Sequence, residues 1–218
     1  MTILNAKNLT LAEVHRLFNF QKQHDGSFTS LLSLEPITEL EQQEIAQTRS
    51  ELENHLTSAA ASEGQVKLVA VGPLLRLAGF YRYPLQVVVE EGIARITVTD
   101  EETTVTGRLD IVAINKARLS PEIVPFWVLV IESKNSSISP SMGLPQLLTY
   151  AYQSLKYQDS VWGLATNGEL YRFVYIKAGN PPTYQLLPFL SLTDSESSLQ
   201  LLQVLKAIVF LENHSVRF

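Results

Sequence analysis

The sequence predicts an α/β (α+β) fold in which a central mixed β-sheet is flanked by helices. Three observations carry that expectation. The order of local patterns is helices, three strands, a further strand, a helix, two strands and a helix, so strands and helices interleave along the chain. One run, Phe126-Trp-Val-Leu-Val-Ile-Glu-Ser-Lys134, is apolar on both faces until its last three residues, as expected of a strand in the middle of a sheet covered on both sides. The helical stretch that follows it, before the next strands, supplies a crossover.

The elements follow in order. Residues 10 to 24 open with Thr10 as N-cap and put Leu11, Val14, Leu17 and Phe18 on one helical stripe. From Thr38 to about Ser58, Leu40, Ile45, Leu52 and Leu56 sit amid charge, and Thr38 with Glu41 forms a capping-box pattern, giving a longer, partly exposed helix. A third helix starts at Ser62 with Val66, Val69, Ala70, Pro73, Leu74 and Leu77 buried; it bends at Gly72-Pro73 and stops at Gly79. Three strands (85–91, 93–102 and 104–115) read as an antiparallel meander turning at Glu91-Gly92. A loop with Pro121 and Pro125 leads to the central strand, and a helix runs from about Met142 to Gln158. Val161–Gly168 and Glu169–Ile176 form two strands around Asn167-Gly168, and residues 195–213 close as an amphipathic helix.

With 218 residues, 45% hydrophobic and 18% charged, the chain has the composition of one folded domain. It has no run of about eighteen apolar residues and no leader-like start, so it reads as cytoplasmic, with no membrane partner. The absence of cysteine excludes disulfides and thiolate metal sites, and the four scattered histidines lack a zinc spacing, so any metal is held by oxygen. A net charge of -5 counts against nucleic-acid binding over the whole surface, though a carboxylate cluster holding divalent cations repels phosphate less once loaded. The oligomeric state is not readable from the sequence, although exposed helices on a subunit of this size leave a homodimer open.

Asp110 interrupts an apolar strand-like run of Leu109, Ile111, Val112, Ala113 and Ile114. A buried carboxylate is costly unless paired, hydrogen-bonded or metal-bound, so it needs a partner. Glu132 and Lys134 end the next strand, where a period of two puts both side chains on one face and Ser133 on the other. If the two strands pair, three charges meet at one sheet edge. Phosphodiester hydrolysis asks for water activated by a cation and for a positive centre facing the phosphate. Two carboxylates offer hard oxygen ligands for the first, and Lys134 suits the second or helps orient the water. The Glu132–Lys134 triplet alone is also what a solvated strand end shows, with Asp110 paired to Arg108.

Taken together, Gly107-Arg-Leu-Asp110, Val128-Leu-Val-Ile-Glu-Ser-Lys134 with 21 residues (111–131) between Asp110 and Glu132, and a helix carrying Gln146-Leu-Leu-Thr-Tyr150 resemble the PD-(D/E)XK nuclease superfamily. The last element is similar to the QxxxY helix of nuclease domains in helicase-nuclease recombination enzymes and in type I restriction motor subunits. The resemblance spans roughly residues 38 to 176; Leu109 stands where the motif's name has proline. It implies a restriction endonuclease-like core at 38–176, with a helical extension at 1–37 and a C-terminal strand or loop and helix at 177–218. It further implies that Asp110 and Glu132 ligate Mg2+, with Mn2+ as substitute, that the Ser133 carbonyl completes the protein's share, and that Lys134 acts on the attacking water. Gln146 and Tyr150, one helical turn apart, would face this centre; the plainer reading has Tyr150 and Leu147 in the core and Gln146 exposed. Glu44, Glu51 and Glu63 are candidates for a further acid from a helix before the sheet. Glu63 is favoured because its helix leads directly into the first strand, although an acid at a helix N-terminus also suits the macrodipole.

Arg76, Arg82, Arg16, Lys22 and Lys67 are candidate phosphate contacts, whereas Trp127 and Trp162 lie within apolar strands and read as core. The expected function is a Mg2+-dependent DNA endonuclease of restriction or repair type. DNA is its partner, together with a helicase-type motor or a DNA-recognition protein. The rival is a catalytically silent nuclease-fold module for DNA binding or assembly; use of the fold on RNA is a third reading.

Overall fold

The N-cap foreseen at Thr10 and the capping box foreseen at Thr38 both start helices, and at Thr10 the cap is a reciprocal box as well. Thr10 caps α1 (Leu11–Phe18) and Thr38 caps α2 (Glu39–Ser58); each threonine oxygen accepts an N–H three residues on, and Glu13 or Glu41 there takes the threonine N–H in return. The computed structural model describes residues 2–90, 92, 96–98, 103–119 and 125–214. The remaining helices are α3 (Glu63–Gln65), α4 (Gly72–Ala78), α5 (Leu144–Ser154) and α6 (Ser195–His214). The strands are β1 (Thr2–Asn5), β2 (Gln21–Lys22), β3 (Leu85–Val89), β4 (Ile96–Val98), β5 (Thr103–Thr106), β6 (Ile111–Leu119), β7 (Pro125–Ser133), β8 (Ser160–Thr166), β9 (Leu170–Lys177) and β10 (Thr183–Ser191).

Seven strands form the mixed central sheet, in the order β2-β10-β9-β8-β7-β6-β3. β7 pairs antiparallel with β6 and parallel with β8, and α5 makes the crossover between β7 and β8. Alternate residues of β7 feed opposite cores. Leu129 and Ile131 pack with α2, α4 and α6, while Val130 packs with α1 and α5 on the other face. This is the two-sided burial that its unbroken apolar run predicts.

The meander is redistributed. The stretch read as one strand from Thr104 to Asn115 is two, β5 and β6, which belong to different sheets: β5 joins a small sheet of order β1-β5-β4, and β6 pairs directly with β3 in the large one. The chain changes sheets at Gly107, where a Cβ would stand 2.8 Å from the Tyr150 ring and 3.1 Å from Ala6, so only glycine passes. The foreseen turn at Glu91 and the loop at Pro121 lie outside the described residues, as do 93–95 and 99–102 of the second foreseen strand.

Two helices are shorter than their patterns. Asn19, in the left-handed region at φ 55, ends α1, and Gln21–Lys22 then pair in parallel with β10. A 3-10 turn over Pro140–Gly143 leads into α5. The third helix does start at a Ser62 cap and stop at Gly79, but its irregularity precedes Gly72-Pro73 as a π-helical stretch, Val66–Val71. Pro73 has no N–H to donate four residues back, and the Gly72 N–H reaches the Lys67 carbonyl, five residues back. Among the described residues no helix is long and apolar enough to cross a membrane.

Glu41 also ties α2 to α6 by accepting the Lys206 ammonium. Burial would raise its carboxyl pKa, but the bonds from Lys206 and Thr38 outweigh burial and hold it below the ordinary 4.5. A folded-state pKa below the unfolded one gives stability that is complete above the unfolded value and is lost as pH falls through the folded one. Glu41→Gln is expected to lose about 1–2 kcal/mol in urea unfolding near neutral pH. The gap to wild type should close on acidification below the carboxylate range; a gap unchanged in acid would mean that charge is not its source.

Candidate functional site

Asp110 stands one residue before β6, and Ile111 pairs with Ile131 across the β6–β7 ladder. Continuing that antiparallel register by one step brings Asp110 alongside Glu132, the last residue but one of β7. One Asp110 oxygen, Oδ2, accepts both the Ser133 N–H at 2.8 Å and the Ser133 hydroxyl at 3.0 Å. The other, Oδ1, faces the Lys67 ammonium at 2.8 Å, and Lys67 lies 3.4 Å from Glu63. Lys67 leaves the π-helical stretch directly above this edge. Burial lowers its pKa, and the two carboxylates more than reverse that, leaving it raised.

Glu132 is 1% exposed, facing α5. Gly143 makes room for it, since a Cβ there would stand 2.9 Å from Glu132 Cγ. Its Oε1 accepts the Lys134 ammonium, whereas its buried Oε2 has no hydrogen-bond partner. Burial pushes the Glu132 carboxyl up to about 8, the neighbouring Asp110 charge adds to the rise, and Lys134 opposes it. Lys134 also donates to Gln146 Oε1 at 3.3 Å, the Gln146 amide donates to the Tyr150 hydroxyl at 2.8 Å, and the Arg108 backbone N–H reaches the same hydroxyl at 3.3 Å. Burial, then the Glu132 charge, pushes Tyr150 up to about 12, so its hydroxyl stays protonated.

Carboxylate oxygens are hard donors suited to magnesium, and a buried, partnerless Glu132 oxygen is the kind of atom a cation satisfies. Among the described residues no three Asp, Glu, His or Cys side chains form a ready group for a metal. The carboxylates here are instead held by ammonium groups, Lys67 between Asp110 and Glu63, and Lys134 on Glu132. Beside Lys67 opens a largely apolar groove of about 430 Å³, also lined by Leu68, Arg76, Tyr81 and Val89.

No family model and no curated protein sequence matches this chain. Among the solved structures similar to the chain is a fragment assigned to an HsdR subunit of a type I restriction enzyme from Vibrio vulnificus YJ016, with a TM-score of 0.38 and 19% identity. The likeness covers 66% of this chain and 25% of that one.

Of the residues singled out in the sequence, Asp110, Glu132, Ser133, Lys134, Gln146 and Tyr150 are joined by hydrogen bonds or register at this edge, and Glu63 reaches it through Lys67. The plainer alternatives fare differently. Asp110 is not paired to the Arg108 side chain, which binds Glu90, and Gln146 is buried, not exposed. Of the other acids, Glu44 binds Arg76 and Glu51 takes the Gln47 amide, so both are engaged elsewhere. Lys22 is paired with Asp25, and Trp162 is buried as expected of core. Lys67, considered only as a phosphate contact, is the residue whose place the sequence reading missed. Its spacing of four from Glu63 on a helix was the available signal.

Tyr150→Phe removes the acceptor for the Gln146 amide and the Arg108 N–H while keeping the ring. The expected cost is about 1–3 kcal/mol in urea unfolding, the range for buried donors left unsatisfied. A variant as stable as wild type would show that the hydroxyl is not needed to hold these groups.

Proposed function

We propose that the chain is a Mg2+-dependent DNA endonuclease of restriction or repair type, with Mn2+ as substitute metal. Residues 38–176 would be the nuclease-like core of one domain, preceded by the 1–37 extension and followed by 177–218. The observation that carries the reading is the buried Glu132 with its partnerless Oε2, set beside Asp110 and Lys134 at one sheet edge. Asp110, Glu132, Glu63 and the Ser133 carbonyl would hold the ion. Bound there, it supplies Lewis-acid activation of water and a positive field for the phosphate.

The chain's own residues account for the rest. Ser133 fixes Asp110 through two bonds to one oxygen, so its other oxygen is turned toward the site. Lys134, steadied by Glu132 and Gln146, has N–H donors that can orient the attacking water or hydrogen-bond a phosphoryl oxygen as negative charge builds on it. Gln146 is itself steadied by Tyr150, whose hydroxyl remains protonated. The groove beside Lys67 is the approach for substrate, with Arg76 on its wall.

The test is direct. Purified protein is incubated with supercoiled plasmid and Mg2+ or Mn2+; nicking that EDTA abolishes is expected, and its absence with both metals would overturn the enzymatic reading. A silent module for DNA binding or assembly is favoured by one observation. The net charge is -5, and Lys22, Arg76 and Arg108 are all paired with the chain's own acids. In that case a motor, a DNA-recognition protein or a second copy would supply the DNA contacts. Binding of neither metal nor DNA by the chain alone at low salt, together with no nicking, would mark this reading.

A further inference from the structure

We propose that Lys67 is the site's built-in cation: its ammonium competes with the divalent ion for Asp110 and Glu63, and so sets how much metal is needed to load the site. The inference rests on the metal-centre reading above and deepens it.

The geometry leaves an arriving ion little choice. Asp110 Oδ2 is taken by the N–H and hydroxyl of Ser133, so Oδ1 is the oxygen that this carboxylate can offer, and Lys67 sits on it at 2.8 Å. Lys67 reaches Glu63 as well, at 3.4 Å. Glu132 Oε2 is the partnerless oxygen of the set. An ion that uses Asp110 and Glu63 along with Glu132 must therefore take the place of the Lys67 ammonium.

The charges agree. With every group ionised, as a bound metal requires, Asp110, Glu132 and Glu63 set against Lys67 and Lys134 leave a balance of minus one (three negative, two positive); without Lys67 the balance is minus two. A single positive charge so close to a divalent ion is strongly repulsive where the surroundings are poorly hydrated.

The fold also allows the exchange. The Lys67 backbone is pinned, because its carbonyl takes the Gly72 N–H across the widened π turn and Gly72 has no side chain to crowd that oxygen. The ammonium rides on a flexible four-carbon stem and already lines the groove of about 430 Å³ that opens beside the site. It can thus leave the carboxylates without disturbing the helix.

The test follows Mn2+ binding by loss of the free-ion electron paramagnetic resonance signal, in wild type, Lys67→Met, Lys67→Gln and Asp110→Asn. Both Lys67 variants are expected to bind Mn2+ about tenfold more tightly than wild type, and Asp110→Asn to lose binding. Lys67 variants that bind no more tightly than wild type, with Asp110→Asn silent, would overturn the role given to Lys67 and leave the metal site standing. Binding that survives Asp110→Asn, or is absent from all four proteins, would instead overturn the metal site itself. Two neutral replacements guard against a folding defect: if one departs from the wild-type circular dichroism, the other carries the comparison.

Discussion

Asp110→Asn and Glu132→Gln are each expected to lower Mg2+-dependent plasmid nicking by about three orders of magnitude or more, the several kcal/mol of transition-state stabilisation that a metal centre contributes. Both replacements keep size and shape while removing charge. The amide that replaces Asp110 can still offer an oxygen to the Ser133 N–H, so the link between β6 and the end of β7 survives. What is lost is the charged oxygen facing Lys67. At Glu132 the change removes a carboxylate whose Oε2 has no partner in the fold, and the amide oxygen can still accept from Lys134. Nicking rates are compared on preparations whose circular dichroism matches wild type. Rates within a few-fold of wild type for both variants would remove these carboxylates from the chemistry, whatever their place at the sheet edge.

The elements most legible in the sequence were those fixed by local rules. Thr10 as an N-cap and Thr38 with Glu41 as a box start helices by satisfying N–H groups that have no other acceptor, a matter of residue type and spacing alone. β7 announced its central place because burial on both faces needs an unbroken apolar run. The transfer between β5 and β6 was not legible. The sequence from Thr104 to Asn115 keeps strand character throughout, and what divides it is the Tyr150 ring, 2.8 Å from where a Cβ at Gly107 would stand. That contact joins residues far apart in the chain, and no local period records it. β1 and β2 were missed for a related reason: each is short and exists through a partner, β5 or β10, supplied by distant sequence.

The candidate site divides in the same way. Asp110 was readable because a charge in an apolar run demands compensation, and the compensation is Lys67 and Ser133. Which cation would answer it was not readable. Arg108, the sequence neighbour, turns to Glu90, while Lys67 arrives from a helix 43 positions away. Gln146 was ambiguous by helical spacing alone; its burial comes from being held between Lys134 and Tyr150.

Lys134→Met is expected to cost about 3–5 kcal/mol in urea unfolding with EDTA present above about pH 8, where Glu132 is ionised in the wild type, the range for breaking a buried ion pair by removing one partner. The asymmetry of the pair makes the expectation specific. Glu132 is 1% exposed on its side chain and Lys134 15%, so the lysine has a path to water and the carboxylate has none. At that pH, removing the ammonium leaves Glu132 either a lone buried charge or forced to take up a proton, whereas Glu132→Gln leaves a lysine that still reaches Gln146. Combining Glu132→Gln with Lys134→Met should recover most of the lost stability, because the double variant buries neither charge; the coupling between the two sites should reach about 1–3 kcal/mol. Cleavage should remain absent in all three variants, since none restores the carboxylate and the ammonium together. A double variant as unstable as Lys134→Met alone would assign the loss to the lysine's packing instead of to the stranded carboxylate. Cleavage recovered along with stability would mean that the pair serves the fold and not the chemistry.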